Sequence, residues 1–258
     1  MSLVIVIPLK SKKVSKNWEQ VEICLQKTIK SIENQKNKNF ITIIVGHEKP
    51  SFLNSESLDK RILFIEYNKQ PPNITNDTAA NQELYEIDRV GKIFHGFNYA
   101  KSIIREFKYF FPLDSDDLIS SRFVEYVLNQ NENHSIIIKN GHFYYKDLEK
   151  VSKSKKFDEY CGSSMVASVK SLKKHLLVDS IENFLFKKIG HAMMHEFLVS
   201  NNHQIIIPNE MLVMYMRDTG ENISKELKAT LQSKIKKYIK KLLTCKTPTN
   251  QLKNEFQI

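Results

Sequence analysis

The chain opens on an unbroken apolar run, Leu-Val-Ile-Val-Ile-Pro at positions 3–8, with no polar residue alternating through it. A strand with one face in water alternates polar and apolar residues; a strand covered on both faces does not. The chain therefore has to start inside a layered α/β structure. Residues 40–45 and 62–65 repeat the pattern. Between the first two runs, Trp18, Val21, Leu25, Ile29 and Ile32 recur at three- and four-residue spacing, which predicts a helix with one buried face. Strand, helix, strand, strand is the rhythm of a doubly wound half-sheet, and ligands of such sheets bind beyond the carboxyl ends of the strands. Lys10, His47 and Asp114 would all lie there. With 258 residues, one large domain can form a sizeable core.

Further along, residues 70–80 read as a loop, with Pro71-Pro72 and a cluster of Asn, Thr and Asp. A helix is expected through Ala100, Ile103, Ile104 and Phe107. Strands are expected at 135–139 and 142–145, joined as a hairpin by Asn140-Gly141. Residues 150–156 read as a solvated basic loop, and 163–169 as a strand of small residues. Gly190 opens a helix through Met194, Phe197 and Leu198. Strands at 204–207 and 211–216 follow.

Directly after the apolar run 109–113 comes Asp114-Ser115-Asp116-Asp117. Three carboxylates in four residues at the end of a buried strand repel one another and resist desolvation. A divalent cation offsets both effects, and hard oxygen ligands suit Mg2+ or Mn2+. The competing reading is a helix cap, since Asp is a preferred N-cap and Phe123, Val124, Val127 and Leu128 suggest a helix close behind.

Several pieces in order resemble the GT-A glycosyltransferases, and among them bacterial family 2. They are Val4-Ile5-Val6-Ile7-Pro8, residues 41–45, Asn98-x-Ala100, Leu113-Asp114-Ser115-Asp116-Asp117, and Tyr215-Met216-Arg217 through Asn222-Ile223-Ser224. The likeness covers residues 1–224 and implies a GT-A (Rossmann-like) α/β fold with a mostly parallel central sheet flanked by helices. It also implies a metal-dependent, inverting enzyme that moves a sugar from a nucleotide-sugar donor, a UDP-sugar foremost. By the resemblance, Asp114 lies near the nucleotide ribose and Asp116 binds the metal on the diphosphate, Mn2+ or Mg2+. Pro8 and its neighbours would line the nucleotide pocket. Two positions depart from the family pattern. Gly46-His47-Glu48 stands where a pair of aspartates usually meets the base, and Gly190-His191 stands where an acidic catalytic base is usual.

His191 has two functional readings, a general base for an acceptor hydroxyl or a metal ligand. His195 and Glu196, one turn on, are the alternates, and Glu196 is the more usual kind of base. Arg89 and Lys92 are candidates to neutralise diphosphate charge, as is Lys10; the bland alternative for each is a solvated helix start or strand end. Asp218 or Glu221 could replace the histidine that relatives often use as a third metal ligand. The segment Cys161-Gly162-Ser163-Ser164 reads as a packing point, or as a border of the acceptor site.

The formal charge of +10 is concentrated in one place: from Lys225 onward there are nine lysines against Glu226 and Glu255. Residues 225–258 thus read as a basic C-terminal appendage to a 1–224 domain. Leu227, Leu231, Ile235, Tyr238, Ile239 and Leu242 recur at helical spacing, which suits either a helix docked on its own domain with a solvated basic side or one lying on an anionic membrane surface, the latter favoured. It lacks the interleaved aromatics of a nucleic-acid binder. The expected acceptor is a glycan or lipid-linked saccharide of capsule or lipopolysaccharide type. Three cysteines without metal-ligand spacing and an N-terminus without signal-peptide layout point to the cytoplasm, peripheral on the inner membrane. Two other readings are a sugar-phosphate nucleotidyltransferase and a non-catalytic basic binding module. The first usually has a glycine-rich phosphate loop, and residues 11–16 contain no glycine.

Overall fold

The computed structural model describes residues 3–55, 58–75, 77–221 and 243–258. Strand β1 (Leu3–Pro8) is buried along its whole length, as its unbroken apolar run requires. Its side chains alternate between two cores. Leu3, Ile5 and Ile7 join one, and Val4 and Val6 the other. Helix α1 (Trp18–Glu33), capped by the Asn17 side chain on the Gln20 N–H, covers the first face with Val21, Leu25, Ile29 and Ile32. Strands β2 (Phe40–Gly46) and β3 (Ile62–Glu66) continue the sheet, each parallel to its neighbour.

The chain then crosses the sheet through α2 (Thr78–Ile103), a 26-residue helix, and pairs β4 (Tyr109–Pro112) on the other side of β1. Asp77 caps α2 by accepting from the N–H groups of Ala79 and Ala80. Val90, Ile93, Phe97 and Ala100 press it onto the second core. The helix thus begins inside the stretch expected to be a loop and stops before Ile104 and Phe107, which were expected within it.

Beyond β4 lie β5 (Leu118–Ile119), α3 (Phe123–Leu128), β6 (Ser135–Ile137), β7 (Gly141–Tyr145), β8 (Lys150–Ser154) and β9 (Met165–Ser168). Three short helices, α4 (Lys173–Leu176), α5 (Leu185–Lys188) and α6 (Met194–Ser200), precede β10 (Ile205–Ile206) and β11 (Val213–Arg217). The main sheet has seven strands in the order β10-β6-β9-β4-β1-β2-β3, with β9 alone antiparallel to its neighbours. This is the mostly parallel, helix-flanked sheet expected from the sequence. A second sheet has the order β5-β11-β7-β8.

Two local expectations fail. β6 and β7 belong to different sheets, so Asn140-Gly141 does not close a hairpin; Gly141 is required because a Cβ there would lie 2.3 Å from the Phe157 ring. The hairpin lies one strand later, where β7 pairs antiparallel with β8. Residues 150–154, expected to be a basic loop, are that edge strand. Lysines on an edge discourage further pairing.

Residues 222–242 lie outside the described residues, and with them the Asn222-Ile223-Ser224 end of the resemblance and nearly all of the expected lipid-facing helix of the basic appendage. Residues 243–258 dock on the second sheet. Lys246 bridges Val151, and α7 (Asn250–Phe256) buries Phe256 completely among Leu118, Val151, Met214 and Met216. No described helix is long and apolar enough to cross a membrane.

Candidate active site

The strand order reverses between β1 and β4, and the acidic tetrapeptide leaves β4 at that point. A doubly wound sheet opens its ligand crevice at such a reversal, because neighbouring crossovers leave in opposite directions. The loop is fixed from three sides. Thr28 on α1 donates to the Ser115 carbonyl at 2.9 Å, the Asp117 N–H donates to the Asp114 carbonyl, and the Asp114 N–H donates to Ser163 Oγ at 2.9 Å.

The three carboxylates separate into distinct roles. Asp117 is fully buried and accepts from Ser163 Oγ (2.6 Å), Cys161 Sγ (3.1 Å) and the Met216 N–H (3.4 Å). Burial first, then Asp116 and Asp114, pushes its pKa well above the usual carboxylate range. It ties the segment before β9 and the strand β11 to the acidic loop. Neither Asp116 nor Asp117 caps α3, whose N-cap is Arg122.

Asp114 and Asp116 are half-buried. Arg89 Nε donates to Asp114 Oδ1 at 2.8 Å. Burial opposes the Arg89 charge, but Asp114 and Glu86 outweigh it and raise its pKa. Burial also pushes Asp116 up to about 7, with Asp114 adding to the shift and the charges of Lys10 and Arg89 opposing it. Gly162 allows this packing: a Cβ there would lie 2.5 Å from Arg89 Nη2 and 2.6 Å from Asp114 Oδ2.

Among the described residues no three His, Cys, Asp or Glu side chains form a metal-binding group. The donor set still fits Mg2+ or Mn2+. Two carboxylates with hard oxygens are held close enough for Asp114 to raise the Asp116 pKa, and such ions keep several sites for water and phosphate oxygens.

Lys10, at the end of β1, pairs with Glu221 at 2.7 Å, and that carboxylate also accepts from the N–H groups of Lys16 (3.3 Å) and Asn17 (2.6 Å). Pro8 is the last residue of β1. His47 and Lys92 form a separate network around Asp88: His47 Nε2 lies 3.0 Å from Oδ1, and Lys92 donates to Oδ2 at 2.6 Å and to the Leu9 carbonyl at 2.7 Å. Lys92 is only 1% exposed, and burial lowers its pKa against the pull of Asp88. It therefore braces the end of β1 rather than presenting a free cation.

His191 and Glu196 are exposed. The turn His191–Met193 lies beside the turn Phe157–Glu159, whose following residues Cys161 and Ser163 hold Asp117. His195 Nδ1 is 3.3 Å from Lys139 Nζ. Sequence reading missed the hydroxyls of Thr28 and Ser163 as supports of the acidic loop. A serine or threonine carries no motif; its role emerges only when strands distant in sequence come together.

No family model matches the chain, and no curated protein sequence matches it. Among the solved structures similar to it, three illustrate the likeness. TarS (residues 1–349) of S. aureus is 9% identical, with 84% of this chain and 60% of that chain covered and a TM-score of 0.47. The inositol-1-phosphate CTP transferase of T. maritima is 13% identical, with 89% and 98% covered and a TM-score of 0.44. The 4-diphosphocytidyl-2C-methyl-D-erythritol synthase of Anaerococcus prevotii is 13% identical, with 94% and 96% covered and a TM-score of 0.45. The chain spans about 60% of the length of TarS 1–349. These superpositions are too loose to transfer a residue or a substrate. On its own strand order and crossover, the chain has the mostly parallel, GT-A-like α/β architecture that its sequence resemblance implies.

Proposed function

We propose that the chain is a metal-dependent glycosyltransferase that takes a sugar from a nucleoside-diphosphate donor, a UDP-sugar foremost, and passes it to a bacterial surface glycan. The observation that carries this reading is the pair Asp114 and Asp116 at the strand-order reversal, half-buried beside Arg89 and Lys10. Asp114 and Asp116 would hold Mn2+ or Mg2+, which when bound supplies Lewis-acid stabilisation of the departing diphosphate. Arg89 sets the orientation of the Asp114 carboxylate by its Nε hydrogen bond, while Lys10 adds positive charge beside Asp116. Asp117 keeps the loop in place from below and stays out of the chemistry.

An acceptor hydroxyl needs a base on the face opposite the leaving group. His191 and Glu196 are the candidates for that role, and their exposure leaves either free to meet an acceptor. Residues 225–243 are proposed to rest on an anionic bilayer, which would keep the enzyme at the cytoplasmic face of the inner membrane, near a lipid-linked acceptor.

The test is turnover on a panel of UDP-, GDP-, CMP- and dTDP-sugars with Mn2+, reading free nucleotide and sugar. Release of UDP from one UDP-sugar, lost in Asp116→Asn, supports the reading. Release of pyrophosphate from a nucleoside triphosphate and sugar phosphate, with no sugar transfer, would assign nucleotidyl transfer instead.

A further inference from the structure

Arg217 closes β11 in an unusual setting. The alternation of the strand puts Val213, Tyr215 and Arg217 on one face with Phe143 and Tyr145 of the parallel neighbour β7, away from the face that meets α7. Its guanidinium carbon lies 5.5 Å from the Phe143 ring centre, 5.7 Å from Tyr215 and 5.9 Å from Tyr145. The residue is half-buried, and among the described residues no carboxylate pairs with it. Three rings hold the planar group by cation–π attraction but satisfy none of its five N–H donors. A half-buried guanidinium held among rings, with N–H donors left for a ligand, is matched by a carboxylate or phosphate, which it can grip with two parallel hydrogen bonds.

The same Phe143 ring supports a second group. Tyr160 meets it edge-on at 5.8 Å, yet is 54% exposed, so its ring is braced from behind and open to solvent. Both groups are tied to the acidic loop through their neighbours in sequence. Cys161, next to Tyr160, donates to Asp117, as does the N–H of Met216, next to Arg217. Cys161 and Ser163 lead into β9, which borders β4 on the side away from β1, where Lys10 stands.

We infer that Arg217 and Tyr160 form the acceptor subsite, and that the acceptor is a saccharide bearing a carboxylate or phosphate. The Tyr160 ring receives the C–H face of a sugar, while Arg217 receives its anionic group. This rests on the glycosyltransferase reading above and adds the charge of the acceptor to it.

The test is calorimetric titration of the full-length protein holding UDP and Mn2+. The probes are a uronate-containing oligosaccharide and a phosphate-bearing one, each compared with its neutral parent, and UDP–Mn2+ affinity is measured for every variant. The expected result is that at least one charged probe binds about tenfold or more tightly than its parent, as a charge-assisted hydrogen-bond pair provides. Arg217→Gln should abolish that preference and Arg217→Lys should keep part of it. Tyr160→Ala should weaken charged and neutral probes alike, by about threefold. The inference is overturned if neither charged probe is preferred, or if Arg217→Gln leaves the preference intact. It is equally overturned if that variant loses UDP–Mn2+ affinity and keeps the saccharide preference, since Arg217 would then serve the donor. Wild-type protein that binds no UDP with Mn2+ would instead contradict the donor-site reading.

Discussion

At the scale of single residues, the acidic tetrapeptide separates one fully buried support, Asp117, from the half-buried pair Asp114 and Asp116. Asp117 accepts three hydrogen bonds in a fully buried position, so Asp117→Ala strands Ser163 Oγ and the Met216 N–H. We expect a loss of about 2–3 kcal/mol in denaturant unfolding. Asp116 controls a pH effect. Its folded-state pKa is raised to about 7, so the folded state holds that proton more tightly than the unfolded chain does. Stability from this group is therefore present at low pH and lost as pH rises from the ordinary carboxylate range through about 7. Metal-free protein should melt at a lower temperature at pH 8 than at pH 6, and Asp116→Asn should flatten that slope. Gly162 is the third residue of consequence. An alanine methyl would crowd Arg89 Nη2 and Asp114 Oδ2, so that one or both side chains must shift. Gly162→Ala should weaken UDP–Mn2+ binding about tenfold or more, because misplacing a positioning group is costly. Unchanged affinity in that variant would show that the Arg89–Asp114 geometry does not matter.

At the scale of elements, the buried runs of β1, β2 and β4 were legible because continuous burial leaves a continuous apolar record; β3, an edge strand, is only half-buried beyond Ile62 but keeps the same apolar run. The elements misread from sequence left weaker records. β8 has one buried apolar residue, Val151, among lysines and serines, which resembles a loop. Its turn places Glu149 at φ +50°, a conformation that glycine or asparagine would have signalled and glutamate does not. Asn140-Gly141 carried the opposite error, a strong turn signal produced by crowding from Phe157. The start of α2 was hidden by its polar surroundings, in which the capping residue Asp77 reads as one more loop residue. Docking of α7 belongs at this scale too. Phe256→Ala should cost about 3–5 kcal/mol, read as a shift in the thermal unfolding midpoint. A shift near zero would mean that the helix adds little to the second sheet.

At the scale of the whole molecule, the sequence order strand, helix, strand, strand, then a strand carrying acids, already implied the sheet reversal and the position of Asp114 and Asp116 beyond it. The second sheet could not be read this way. It assembles β5, β7, β8 and β11 from stretches about a hundred residues apart, and β5 contributes only two residues. The surroundings of the acidic pair were lost for the same reason: Ser163, Gly162 and Glu221 arrive from segments whose proximity only the tertiary fold creates. On the proposed function, this assembled crevice binds a nucleoside diphosphate through a divalent ion held by Asp114 and Asp116. Calorimetric titration of UDP into wild-type protein and Asp116→Asn, each with Mn2+ and with chelator, decides whether it does. Wild-type protein should bind UDP with Mn2+ but not with chelator, and Asp116→Asn should bind it in neither condition. Equal UDP affinity with and without Mn2+, or unaltered Mn2+-dependent binding in Asp116→Asn, would contradict it.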